Sequence, residues 1–391
     1  MSSQERADAY LSKKKNSEDA FKAEKWRLLD DLYSKKLWHP VTMMLRELMY
    51  EPAFTMGESL KDMYDNFIHE FEHRINPLEL VEIILPVARE IATQDHEAAC
   101  SFIGGIEKTV KNDKEAMIRS ATAQAELRLS HKDANGRCSD IQSVRALIES
   151  TQTALDALPG VTAVHAPFYK MSSVYLREIG DYAAYYREAL RYLGCEDSNK
   201  MTEADCRMQA VCLGFAALLG ENVYNFGELL AHPILESLRD TPEKWLVEML
   251  YAFNSGNLAE FHKHKGTWSE WDDLKKHQAL LEEKIRLLCL MEISLGRPSK
   301  MRHIPFAEIA ERARVAEDEV EFLVMKALSR GLVRGSIDQV NQLVTITWVQ
   351  PRVLDRKQIL AMADRIGQWH KEVDGISGLL QENAKEILTK A

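Results

Sequence analysis

Proline and glycine are scarce in this 391-residue chain, at 11 and 18 residues, and long β-branched runs are scarcer still. That combination points to helices. The six cysteines (Cys100, Cys138, Cys195, Cys206, Cys212, Cys289) include no Cys-x-x-Cys pair, so reduced thiols in cytoplasm and nucleus are expected. No apolar stretch opens the sequence, and the longest apolar run, Ala210 to Gly220, is far short of the roughly 20 residues a membrane span requires. Neither secretion nor a membrane partner is expected. Positive charge is also in deficit: 50 Lys and Arg against 60 Asp and Glu give a formal charge of −10. An acidic surface repels phosphate backbones, so no nucleic-acid partner is expected either. What remains is 46% hydrophobic and 28% charged, the balance of a globular chain with a sizeable core. At roughly 150 residues per domain, the length suggests two or three units.

Residues 1 to about 260 read as one helix after another. Trp38, Val41, Met44, Leu45 and Leu48, then Leu80, Ile83, Ile84, Val87 and Ile91, recur at steps of three and four, the helical signature. Breakers are expected at Pro52 and Gly57, Pro77, Gly104-Gly105, Asn135-Gly136, Pro159-Gly160, Gly194, Gly220, Pro233 and Pro242. Helices of that length with short turns predict stacked hairpins, a curved solenoid. Gly180 to Gly194 has the Ala and aromatic spacing of a tetratricopeptide-like hairpin, but no strict 34-residue period is present. This helical-repeat arm is assigned to residues 1–245.

The texture changes after Arg302. A short helix is predicted over Phe306 to Ala313 and a second over Ala316 to Arg330, whose Val320, Leu323, Val324, Ala327 and Leu328 share one face. Gly331 follows, where a helix end favours glycine. The period then drops to two in Leu332 to Ile337 and Leu343 to Val349, with a turn at Asp338 to Asn341 and with Val344, Ile346 and Trp348 on one face. Helix, helix, hairpin is a winged helix, placed at about 303–350. The last segment, 355–390, is a long helix. Its Ile359, Met362, Ile366, Trp369, Val373, Ile376 and Leu380 step by three and four without a break, with Ile387 further on, which is a heptad seam. Gly367, Gly375 and Gly378 inside it each cost about 1 kcal/mol relative to Ala. Such a helix needs other helices along its seam. The expected fold is therefore mostly α: a curved solenoid of helical hairpins, a winged helix and a long C-terminal helix.

Four motifs suggest chemistry and are read as structural. His69-Glu70-Phe71-Glu72-His73 matches H-E-x-x-H, in which two His one turn apart bind zinc and the Glu activates water. On a helical wheel, however, Leu60, Tyr64, Phe67, Ile68, Phe71 and Ile75 form the apolar face, and both His fall opposite it. No third ligand is evident, so no metal is expected. His262-Lys263-His264, flanked by Trp268 and Trp271, is read as solvated loop, and Lys13 to Lys15 as solvated rather than a nuclear signal. Cys206 and Cys212 are read as small core residues. No G-x-G-x-x-G or phosphate loop is present, so no cofactor is expected and the chain is read as no enzyme. The winged helix raises DNA binding, yet its second helix opens with Glu317, Asp318, Glu319 and Glu321, against only Lys326 and Arg330 at its far end. Acids there suit the macrodipole but face phosphate with the wrong sign, so protein contact is the expected use of the fold.

Helical repeats leading into a winged helix resemble the PCI-domain family, the scaffold subunits of the proteasome lid, the COP9 signalosome and a translation initiation factor. The likeness rests on Tyr224 to Leu230 with HPILESL after it, Trp245 to Phe261, Ile285 to Ile293 and, longest, Glu319 to Leu354. The last of these spans EVEFLVMKALSRGLVRGSIDQVNQLVTITWVQPRVL. Residues 1–220 match mainly in helical texture. The resemblance implies a PCI module over 246–350 and a role without an active site. It implies side-by-side contact with other PCI subunits of the lid, and a C-terminal helix that enters a bundle with the two MPN-domain subunits, one of them the deubiquitinase. The arm would reach toward the ubiquitin receptor. The candidate contact residues are Ile359, Met362, Ile366, Trp369, Val373, Ile376 and Leu380 for the bundle. For the hairpin they are Leu332, Val333, Val344, Ile346 and Trp348. A scaffold of another PCI complex is the alternative reading, and a DNA-binding winged helix a further one.

Overall fold

A computed structural model describes residues 3–15, 20–51, 54, 60–133, 136, 138–196, 201–297, 301–354 and 356–388. The chain divides into two compact units, Met1–Asp197 and Ser198–Ala391.

The first unit is built of helices, and several begin on a side chain that accepts from the first free amides. Asn76 caps Pro77–Gln94, Asp95 caps His96–Val110, Asp113 caps Lys114–Ser130 and Asp181 caps Tyr182–Cys195. Each satisfies N–H groups that the helix itself leaves open. Pro77 sits in the first turn, where its missing N–H costs nothing. The expected faces of Trp38–Tyr50 and Pro77–Gln94 are the ones buried. Repeat packing is clearest at Lys114–Ser130. Its Ala116, Ala123 and Leu127 join one hydrophobic cluster, running back to Trp26 and Leu29, while Ile118, Ala125 and Leu129 join another with Phe168 and Met171. One helix thus serves two cores, the arrangement by which stacked repeats bury each other. Between them Arg119, nearly buried, donates to Glu82 at 2.6 Å and to Glu126 at 3.3 Å, as a buried cation requires.

Two expected breaks lie inside helices instead. Gly104 and Gly105 belong to His96–Val110, and Gly194 to Tyr182–Cys195. The packed faces outweigh a penalty of about 1 kcal/mol per glycine. Pro52, Gly57 and Asn135 lie outside the described residues.

The second unit centres on Gln278–Leu295, covered nearly all round, with Leu281, Ile285, Leu287, Leu288, Leu290, Met291 and Ile293 buried. Gly256, with φ of +61°, presses its backbone on this helix; a Cβ there would lie 2.6 Å from the Cys289 Cα. Only glycine fits. Lys284 is buried in the same helix. Its Nζ donates to the carbonyls of Ala217 at 2.7 Å, Leu218 at 3.1 Å and Gly220 at 2.9 Å, at the end of Glu203–Leu219. The rings of Phe226 and Tyr224 lie within 5.4 and 5.8 Å. A cation at the negative end of a helix is well placed, yet burial, with Arg330 adding to it, lowers the Lys284 pKa to about 7.

The winged helix follows. β1 (His303–Pro305), β2 (Val333–Asp338) and β3 (Leu343–Val349) form an antiparallel sheet in the order β1-β3-β2, with helices Phe306–Ala313 and Glu317–Ser329 between β1 and β2. β1 is the strand that sequence patterning misses: three residues, one of them buried and one a proline, carry no period. The hairpin is also not the simple alternation expected. Its register shifts between Arg334 and Gly335, which pair with Trp348 and Ile346, so Thr347 is an extra residue, a β-bulge. Upstream of it Val344 and Ile346 face the core; downstream the inward position passes to Val349, and Trp348 turns half outward. Gly335 opposite the bulge is obligatory, since a Cβ would meet the Thr345 carbonyl oxygen at 2.0 Å.

Candidate partner-binding surfaces

Residues 356–388 form one continuous 33-residue helix, Arg356–Leu388. Every seam side chain from Ile359 to Leu380 is open to solvent: Ile359, Met362, Ile366, Trp369, Val373, Ile376 and Leu380 are all about half exposed or more, with Trp369 at 67%. Leu360 and Leu379 are exposed beside them, while Ile387 lies among side chains that are not described. In heptad terms the seven seam residues occupy successive a and d positions, where a partner's helices insert their knobs. Near its start, Gln358 donates to Glu292 at 3.3 Å. A run of large apolar side chains this long is the kind of patch that marks an interaction site.

The hairpin behaves differently. Leu332, Val333, Val344 and Ile346 are each no more than 2% exposed, so their side chains fill the winged helix's own core and offer no contact surface. As contacts these four are corrected: a resemblance identifies the hairpin, not which of its side chains the chain itself covers. What the hairpin does offer is the outer edge of β2 and, at the bulge, Trp348 with the Arg334 guanidinium 4.7 Å from its ring centroid. An edge strand can extend a neighbour's sheet through main-chain hydrogen bonds.

The remaining motifs fall into structural places. Leu60, Tyr64, Phe67, Ile68, Phe71 and Ile75 are buried, while His69 and His73 face solvent. The helix passes through a π turn at Tyr64–Ile68 and tightens to 3-10 geometry at Glu72–Arg74, so the two His do not share one regular turn. Glu70 accepts from the Tyr33 hydroxyl, and Glu72 from Tyr64 at 2.7 Å. Both tyrosine hydroxyls are pushed well above their usual range, by burial first and then by those carboxylates. Among the described residues, no group of three or more His, Cys, Asp or Glu could hold a metal ion.

Trp268 is not a loop residue. It is fully buried, stacked on Phe261 at 5.4 Å, and the segment expected as loop forms two short helices, Lys265–Trp268 and Asp272–Lys276. His264 lies 3.4 Å from Glu248, and Lys263 from Glu260 at 3.3 Å, so the basic patch is answered by acids. Cys206 and Cys212 are half-buried, whereas Cys138 and Cys289 are the buried thiols. In the N-terminal helix Lys15 pairs with Asp30, and Lys14 lies over the Tyr10 ring. Among the described residues no helix is long and apolar enough to cross a membrane.

Comparison with known proteins matches residues 25–250 to the family described as PSD13 N-terminal repeats and residues 261–348 to the PCI domain. The chain is 37% identical to the 26S proteasome non-ATPase regulatory subunit 13 homolog B of Arabidopsis thaliana, over 93% of this chain and 94% of the relative. It is 33% identical to the 26S proteasome non-ATPase regulatory subunit 13 of Dictyostelium discoideum, over 92% and 93%. With the 26S proteasome regulatory subunit RPN9 of Saccharomyces cerevisiae it shares 30% identity, over 92% of each.

Proposed function

The chain belongs to the family of 26S proteasome non-ATPase regulatory subunit 13, and from that premise we propose that it is a non-catalytic structural subunit of the regulatory-particle lid. There it holds neighbouring subunits in place for ubiquitin-dependent protein degradation. The observation that carries this reading is the uncovered heptad seam from Ile359 to Leu380. Exposed apolar side chains in an unbroken three-four rhythm favour burial by other helices. In this role the C-terminal helix enters a bundle with the MPN-domain subunits, including the deubiquitinase. The winged helix meets other PCI-domain subunits along the β2 edge, beside Trp348. The helical repeats extend toward the ubiquitin receptor, and the protein works in cytoplasm and nucleus. A weaker likeness to translation initiation factor 3 subunit M, 23% identity over 64% of this chain, makes a scaffold of that complex the second reading.

The test is incorporation. Ile366→Asp combined with Trp369→Asp places two charges on the seam, where the bundle would leave them buried and unpaired. The double variant is expected to drop out of the purified regulatory particle while its PCI module stays folded by circular dichroism. Incorporation at the wild-type level would remove the docking role. Co-sedimentation with the translation factor instead of the proteasome would move the protein to the second reading.

A further inference from the structure

The outward face of the second helix of the winged helix is unlike the face that packs inward. Val320, Leu323, Val324 and Ala327 are buried, but Phe322 is 68% exposed and Met325, one turn on, is 42% exposed. Neither belongs to the chain's own core. Asp318 lies one turn before Phe322, and Glu321 one turn before Met325; Glu317 and Glu319 complete an acidic opening turn. The two basic residues at the far end both contact Glu283, Lys326 at 2.5 Å and Arg330 at 2.8 Å, so that carboxylate takes up part of their charge, and the acids Glu317, Asp318, Glu319 and Glu321 outnumber what remains. The wing tip carries Val340, 93% exposed, in a turn that Asp338 closes by accepting from the Asn341 amide at 3.1 Å.

In a winged helix that reads DNA, this helix and the wing present basic and amide groups to the grooves. Here the same two elements present an aromatic, a thioether and an aliphatic side chain within negative charge. That is the composition of a protein contact: a large apolar anchor at the centre and charge at the rim. We propose that Phe322 and Met325 form a docking surface for a protein segment whose apolar residues are flanked by Lys or Arg. The acidic first turn selects the sign of the partner, since like-charge juxtaposition is strongly penalised at an interface. A second copy of this chain is a poor occupant, because two acidic turns would then face each other. The proposal goes beyond the role of the C-terminal helix but rests on the chain's place in the regulatory particle, so incorporation is verified before irradiation and its failure counts against that place and not against the surface.

The full-length chain, carrying a benzophenone amino acid at position 322 and incorporated into the purified 26S regulatory particle, gives the test. After irradiation, the adduct is expected on a partner peptide with an apolar residue and at least one Lys or Arg within one helical turn. Amides of Glu317–Ser329 are expected to exchange at least about tenfold more slowly in the particle than in the free chain, as coverage of a protected helix implies. Asp318→Lys with Glu321→Lys should abolish the adduct while lowering the melting temperature by no more than a few degrees, about what losing favourable macrodipole contacts implies, and raising salt should weaken the adduct in the unsubstituted chain. No adduct and no slowing would overturn the proposal. So would an adduct on a second copy of this chain, on a segment lacking basic residues, or on duplex DNA supplied in the same sample.

Discussion

Two long helices of the second unit show opposite solutions to the same problem. Gln278–Leu295 is covered nearly all round by its own chain, with ten of its residues buried, Lys284 and Ser294 among them. Arg356–Leu388 has one apolar seam, and its seam residues from Ile359 to Leu380 all remain exposed. The difference lies in how the apolar residues are placed as well as in how many there are. A helix whose apolar residues spread over several faces is buried inside its own fold, whereas one with a single seam of 3.5-residue period asks for helices of matching rhythm. Internal cover and external cover are therefore separately encoded.

That contrast can be broken most severely by putting the same charge on each helix. Leu288→Asp buries an unpaired carboxylate and is expected to cost about 4 kcal/mol or more, read as loss of the second unit's cooperative transition in urea. Ile366→Asp should change the stability of the isolated chain by no more than about 0.5 kcal/mol. Equal destabilisation by the two would mean that the tail packs on its own unit in solution.

Lys284 sharpens the comparison at the next level down, because it is the one full charge that the inner helix hides. Lys284→Ala removes the donor to three carbonyls at the end of Glu203–Leu219 and is expected to cost about 3 kcal/mol by unfolding titration. The same lysine has a pH signature. Its native pKa of about 7 lies below the ordinary value of 10.5, so between those values the unfolded chain binds more protons than the native one. The stability difference between wild type and Lys284→Met should therefore grow as pH rises from 7 toward 10.5 and level off beyond it. A flat difference across that window would show the ammonium fully charged in the fold.

The gentlest change is on the tail. A Cβ at Gly367, Gly375 or Gly378 meets nothing within 4 Å, so Gly375→Ala should add about 1 kcal/mol of local helix stability. Hydrogen exchange of the flanking amides should slow by several-fold while the melting temperature of the units stays put. Faster exchange would point to strain at that position.

The legible parts of this chain are those with a period. The faces of Trp38–Tyr50 and Pro77–Gln94, the inner side of Glu317–Ser329 and the seam of Arg356–Leu388 all sit where three-four spacing puts them. What escaped the sequence depends on contacts that local spacing does not carry. β1 is too short to carry a pattern and exists because β3 offers its edge at Thr345. Trp268 looked like a loop aromatic, and only Phe261 stacked on it explains its burial. Gly104 and Gly105 read as a break because propensity is local while helix packing is not. The resemblance points to a contact at the hairpin, but it does not distinguish side chains turned to the chain's own core, as Leu332, Val333, Val344 and Ile346 are, from those turned outward. Phe322 lies out of phase with the buried Val320, Leu323 and Val324, and that offset carries its exposure.

The extra residue at Thr347 works as a half-turn of phase in the middle of a strand. Without it β3 would be a single wall, with Trp348 sunk into the interior and Val349 outside. With it, one ribbon of seven residues keeps Val344, Ile346 and Val349 in the core while Trp348 turns half outward. Such a strand can change what it grips by altering Trp348, while the residues that keep the domain upright are left alone.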